Sequence, residues 1–148
     1  MHSMTAPTPR RAFTLVEILI VVVILGILAA LVVPQFASAA GEAQGTSTKE
    51  QLQRIRRSLA VYYVRAGNVY PNIVAGNGTW GELLSTSPPY LAKPPANMWV
   101  GGPNATAIVI NSTPDTTYHT SYGWIWDPAT GNVWAAGYNA FDEPLPRP

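Results

Sequence analysis

One carboxylate in this chain sits where a carboxylate is costly. Glu17 lies four residues after Phe13, inside FTLVEILIVVVILGILAALVV, a run from Phe13 to Val33 that is otherwise almost wholly apolar. Those 21 residues reach about 31 Å as a helix, the thickness of a bilayer's hydrocarbon core. A charge at the middle of a membrane helix costs on the order of 3 kcal/mol or more, and less near an interface. Glu17 is about one turn inside the run, so it can lean toward the headgroups as a tolerated interfacial charge. The sharper reading is a carboxylate waiting for a cation. The best nearby one is the α-amino group that a cut between Ala12 and Phe13 would leave on Phe13.

Other chemistry is thin. The chain has no cysteine and two histidines, His2 and His119. His119, Ser121 and Asp127 could be written as a triad, but nearness in sequence is not triad geometry, and no nucleophile-elbow motif accompanies them. No Gly-rich phosphate loop or Cys/His metal spacing is present. Asp115, Asp127, Asp142 and Glu143 offer oxygen ligands of the kind calcium takes, without a D-x-D-x-D-G run, and solvated loop acids are the plainer reading. Net charge is +1, so no nucleic-acid partner is expected. Asn77, Asn104 and Asn111 each open a glycosylation triplet that chance in Asn- and Thr-rich loops explains. The expectation is a non-enzyme with no catalytic residue, no metal ligand set and no cofactor, calcium being the one candidate ion.

The elements that would position Glu17 follow from composition. Met1–Ala12 is polar, Pro-containing and free of acidic residues, a leader whose Arg10 and Arg11 hold it in the cytoplasm by the positive-inside rule. Beyond Pro34 come small and polar residues, including Gly41, Gly45, Thr46 and Ser47, which weaken a helix or make a flexible linker. From Lys49 to Arg65 the pattern is helical: Leu52, Ile55, Leu59, Tyr62 and Tyr63 fall on one stripe, while Arg54, Arg57, Arg65, Val61 and Val64 lie off it. Gly67 is the stop. Thr79 could cap a short helix through Leu84. Ala107–Ile110 reads as a strand. Tyr122–Trp126 and Asn132–Ala135 flank the turn signal Asp127-Pro128-Ala129-Thr130-Gly131 and read as an antiparallel hairpin packing its tryptophans on the Leu52–Tyr63 stripe.

RRAFTLVEILIVVVILGILAALVVP, Arg10–Pro34, resembles the amino-terminal segment of type IV pilin-like proteins, the pilins and the pseudopilins of type II secretion. The resemblance implies that a prepilin peptidase cuts between Ala12 and Phe13 and methylates the new Phe13 amine. It implies that Glu17, the fifth mature residue, pairs with the amine of a neighbouring subunit. Ala12 stands where the family usually has Gly. Gly67, Tyr70 and Pro71 match the turn that follows the helix in major pseudopilins, whereas Pro95-Ala96-Asn97-Met98-Trp99 stands where they have Asp-Pro-Trp-Gly and lacks the aspartate. The resemblance implies a carboxy-terminal loop that many pilins close with a disulfide, which a chain without cysteine cannot form, and carboxy-terminal β loops in which major pseudopilins often bind calcium.

The fold expected is α+β, a long amino-terminal transmembrane and amphipathic helix packed on a small antiparallel sheet. Its parts are a cleaved leader over 1–12, a transmembrane helix over 13–33, a weak and then amphipathic helix over 34–66, and a small periplasmic domain over 67–148. The function implied is that of a filament subunit, the major pseudopilin of a type II secretion system, anchored in the bacterial inner membrane with its amino terminus cytoplasmic. Its partners would be copies of itself in a helical homopolymer, prepilin peptidase, other pseudopilins, the inner-membrane assembly platform, and lipid before assembly. Two rivals stand beside it. One is a type IV pilin of a surface fibre. The other is an exported soluble domain, since Arg10-Arg11 loosely resembles a twin-arginine signal and Ala37-Ser38-Ala39 matches an Ala-x-Ala cleavage site.

Overall fold

The computed structural model describes residues 13–74, 76–77 and 79–148, so the leader read over 1–12 lies outside the described residues. The chain divides into two compact units, Met1–Ala39 and Ala40–Pro148. One helix, α1 (Leu15–Arg65), contributes residues to both, and Pro34 lies inside it.

In the first unit every large apolar side chain from Leu15 to Val33 is exposed. The mean hydropathy of its most apolar 18-residue window is 3.2, and the helix is long and apolar enough to cross a membrane.

The second unit is built on the other half of α1. Leu52, Ile55, Leu59 and Tyr62 are buried on one stripe, as the spacing predicts, and Tyr63 is half-buried beside Tyr70. Val61 and Val64, off the stripe, are exposed. The helix ends where Gly67 takes a φ of 72°, and the Asn68 N–H reaches back to the Tyr63 carbonyl at 2.9 Å. That is the glycine-closed end the sequence signals.

Among the described residues four strands form one sheet in chain order: β1 (Gly76–Asn77), β2 (Ala107–Ile110), β3 (Trp124–Asp127) and β4 (Asn132–Ala135). β3 and β4 make the expected antiparallel hairpin, with Asp127 opposite Asn132. β2 and β3, however, run parallel, with Ile108 opposite Trp124, so the sheet is mixed and the all-antiparallel expectation is corrected. The cause is the connection. Residues 111–123 are 13 residues, the length a parallel crossover needs and far more than a hairpin turn uses. Trp124 and Trp126 point to one face and join Leu52, Ile55, Leu59, Tyr62, Trp80 and Val133 in a single core.

The short helix is α2 (Glu82–Ser85), and Thr79 does not cap it. The Thr79 hydroxyl donates instead to the Val74 carbonyl at 2.7 Å, and Gly81 occupies the cap position. Gly81 has a φ of 49°, and a Cβ there would collide with the Asn72 carbonyl, so close backbone approach decides the residue. Glu82 then accepts from the Tyr62 hydroxyl at 2.6 Å and the Asn72 N–H at 2.8 Å, tying α2 to α1. The Tyr62 hydroxyl, and secondarily the Asn72 N–H, hold the Glu82 carboxyl below its ordinary range.

Asn97 is fully buried, and each of its polar atoms is used. Its amide nitrogen donates to the Gly123 carbonyl at 2.8 Å and the Ala136 carbonyl at 2.9 Å. Its oxygen accepts from the backbone of Trp99 at 2.9 Å and Val100 at 3.2 Å and lies 3.2 Å from the hydroxyl of buried Thr48. One side chain thereby fastens three loops to α1.

Leu59 sits in this core, against which the sheet closes. Leu59→Ala should cost about 2–5 kcal/mol of unfolding free energy. Denaturant titration of the detergent-solubilised chain, followed by tryptophan fluorescence, measures it; a loss below about 0.5 kcal/mol would show the stripe is not core.

Candidate functional site

The amino-terminal site forms at the first turn of α1. Thr14 precedes the helix, and Glu17 is its third helical residue. Glu17 Oε2 accepts from the Thr14 N–H at 2.8 Å and from the Thr14 hydroxyl at 2.9 Å. The Glu17 N–H donates back to Thr14 Oγ1 at 3.2 Å. This is a reciprocal capping box, Thr-x-x-Glu, and it satisfies helix-end donors that lipid cannot. Both side-chain bonds use Oε2; among the described residues Oε1 has no partner. Phe13 is adjacent and 81% exposed. Ala12, the other half of the expected cleavage pair, lies outside the described residues.

The first turn can therefore do two things. It keeps a carboxylate at the positive end of the helix, where the macrodipole favours it. It also leaves an oxygen for an outside cation. Thr14 is the residue that sequence reasoning missed. The signal was present, since FTLVE contains Thr and Glu three apart before an apolar run.

His119, Ser121 and Asp127 are not brought together as a triad. The Ser121 N–H donates to His119 Nδ1 at 3.3 Å, and His119 Nε2 lies 2.9 Å from Asp115 Oδ2. Asp127 is used within its own turn, accepting from the Ala129 N–H at 3.0 Å and the Thr130 hydroxyl at 2.5 Å. The Thr130 bond, foremost, holds its carboxyl below the usual range against the opposing effect of burial.

The acids named for calcium are likewise committed to internal donors. Asp115 accepts from the Tyr122 hydroxyl at 2.8 Å and the Gly137 N–H at 2.9 Å. Burial, and then this bond to Asp115, pushes the Tyr122 hydroxyl up to about 12. Both oxygens of Asp142 are held by Arg56, and Glu143 accepts from the Asn139 amide at 3.0 Å. Calcium takes six to eight converging oxygens. Among the described residues no three acidic or histidine side chains converge. Arg56 carries no local signal for its role, because Asp142 lies 86 residues away.

Residues 8–33 match the family model described as the prokaryotic N-terminal methylation motif. The type II secretion system core protein G of Pseudomonas aeruginosa is 38% identical over 98 residues, covering 61% of this chain and 68% of that protein. The type IV narrow pilus major component PilA5 of Thermus thermophilus is 27% identical over 106 residues, covering 72% of this chain and 83% of that protein. No solved structure matches.

The capping box makes a prediction of its own. Thr14→Ala removes the hydroxyl and should weaken the first turn by about 1 kcal/mol, while Thr14→Ser should preserve it. Amide hydrogen exchange over 15–18 in lipid nanodiscs should then rise about fivefold in the alanine variant. Equal rates in the two variants would show that the box does not close in a bilayer.

Proposed function

This chain belongs to the pilin-like family of the type II secretion system core protein G, and we propose from that membership that it is a major pseudopilin. In this reading it is a filament-forming subunit whose polymerisation drives protein export. Members of the family are structural subunits, and this chain is read as one rather than as an enzyme. The observation that carries the reading is the first half of α1, apolar and exposed from Leu15 to Val33 with a single carboxylate at its start.

The proposed sequence of events begins in the inner membrane. Arg10 and Arg11 keep the leader cytoplasmic, and the second unit faces the periplasm. Prepilin peptidase cuts between Ala12 and Phe13 and methylates the Phe13 amine. In a lone subunit Glu17 is satisfied by Thr14 and by water at the membrane edge. In the filament core water is excluded, and the amine of a neighbour's Phe13 meets the uncommitted oxygen of Glu17. A subunit docked one step off leaves both charges unpaired, so the pair sets the axial register. Other pseudopilins and the assembly platform complete the filament. The similarity to PilA5 supports one second reading, the subunit of a surface pilus, and it predicts the same processing and the same pair. Neighbouring genes for a secretin and a secretion ATPase favour export; a retraction ATPase favours pili.

Mass spectrometry of the mature chain should find methylated Phe13 at the terminus. A terminus at Ala40 would replace the pilin-like reading with the exported-domain one.

Glu17→Ala should leave membrane-fraction levels unchanged and abolish filaments and export, because removing one partner of a buried pair costs about 3–5 kcal/mol at every contact. Filaments of wild-type yield and length would reduce Glu17 to a helix cap.

A further inference from the structure

We propose that the guanidinium of Arg56 closes the carboxy-terminal loop of this chain, making its closure independent of calcium. Three basic residues lie within four positions of one another on α1, and they behave differently. Arg54 and Arg57 are exposed, and Arg57 does no more than donate to the Gln53 carbonyl of its own helix. Arg56 is half-buried and reaches two separate segments. Its Nη1 donates to Asp142 Oδ2 at 2.5 Å and its Nη2 to Asp142 Oδ1 at 2.9 Å. The same Nη2 donates to the Val133 carbonyl in β4 at 3.1 Å. A planar fork holding both oxygens of one carboxylate is the strongest geometry an ion pair takes.

The loop is shaped to present that carboxylate. The Asn139 N–H donates to the Glu143 carbonyl at 3.0 Å, and Asn139 Oδ1 accepts from the N–H groups of Phe141 at 2.9 Å and Glu143 at 3.1 Å. Asp142 takes a φ of 59°, a left-handed conformation that aspartate tolerates better than most residues, and its N–H donates to the Asn139 carbonyl at 3.2 Å. The Leu145 N–H then donates to the Gly137 carbonyl at 2.8 Å. Asp142 thus stands at the tip of a self-bonded turn, and Arg56 is the group that fixes this tip to α1.

A divalent cation would do the same work by gathering carboxylates and carbonyl oxygens. Here one guanidinium gathers a carboxylate and a carbonyl, and the other loop acids are committed to protein donors. Asp115 holds Tyr122 and Gly137, and Asp127 holds Ala129 and Thr130. A disulfide is excluded because the chain has no cysteine.

The test is hydrogen exchange of the amides over 139–145 in the full chain in detergent, with EGTA and then with excess calcium chloride. A calcium site at a hundred times its Kd would stabilise the closed loop by about 2.7 kcal/mol, slowing opening about 100-fold. The expected result is one wild-type exchange rate in both buffers and faster exchange in Arg56→Lys, which keeps the charge and loses the fork. Arg56→Ala should be faster still, with residues 82–85 unchanged as the internal control for folding. Calcium-dependent protection of the wild type, or wild-type exchange in Arg56→Lys and Arg56→Ala, would overturn the proposal. The measurement is made on the unassembled subunit, so its outcome is separable from that of the filament reading.

Discussion

A helix that is apolar on every side has to be covered by something, and in the first unit of this chain none of the described residues covers it. From Leu15 to Val33 the large side chains are exposed all round. Lipid covers such a surface, and so do like helices. The hydrophobic effect does not choose between them, because lipid tails are as apolar as leucine. What favours a helix neighbour over lipid must be packing or a polar pair. Glu17 is the only acidic or basic residue from Phe13 to Val33. Its placement at the first turn keeps the cost low in the lone subunit, where Thr14 and the helix end share it. The same placement puts it within one turn of the amine that processing would create. A carboxylate in mid-bilayer would be a heavier burden on the stored subunit, and one outside the membrane would be too hydrated to set a register.

The second unit puts the same helix to a different use. There α1 is amphipathic, and its buried stripe receives the mixed sheet and the Trp80–Trp124–Trp126 cluster. The small residues preceding the stripe have a packing role. Gly45 is buried, with the Tyr138 hydroxyl donating to its carbonyl at 3.1 Å and the Trp99 ring 3.8 Å from where a Cβ would stand. Thr48 is fully buried, accepting the Trp99 N–H at 3.0 Å. Residues that lower helix propensity here allow the Asn97–Tyr138 side of the domain to approach the helix closely.

This explains what could be read from the sequence and what could not. The apolar run, the Leu52–Tyr62 stripe, the Gly67 stop and the Asp127–Gly131 hairpin each repeat or punctuate over a few residues, so local pattern carries them. Ala107–Ile110 was legible as a strand, but not its parallel pairing, because direction is decided by where a 13-residue connection leads. Thr79 read as a cap on residue type alone; the collision a side chain at Gly81 would have with Asn72 is a tertiary fact. At the amino-terminal site Glu17 stood out by its cost, while its partner Thr14 was concealed within a motif read for another reason. Gly45, Thr48, Arg56 and Asn97 carry no local signal for their packing roles, because their partners lie from 26 to 93 residues away for the bonds that define them.

Asn97 lies in the region that departs from the family's pattern. The resemblance implies an aspartate somewhere in the region where this chain has Pro95-Ala96-Asn97-Met98-Trp99. Two carbonyl oxygens, those of Gly123 and Ala136, point at the Asn97 amide nitrogen. A carboxylate in that position would set acceptor against acceptor in a fully buried site, whereas an amide supplies two donors on one side and an acceptor on the other. Asparagine suits these surroundings as aspartate would not. The same logic runs through the loops beyond it. Asp142 is neutralised by a fork from α1, and Asp115 and Asp127 are met by hydroxyls and backbone N–H groups. Directional bonds made by the chain's own donors hold these loops, and each such bond fixes one geometry. A subunit that must present the same surface to every neighbour in a polymer gains from that fixed geometry.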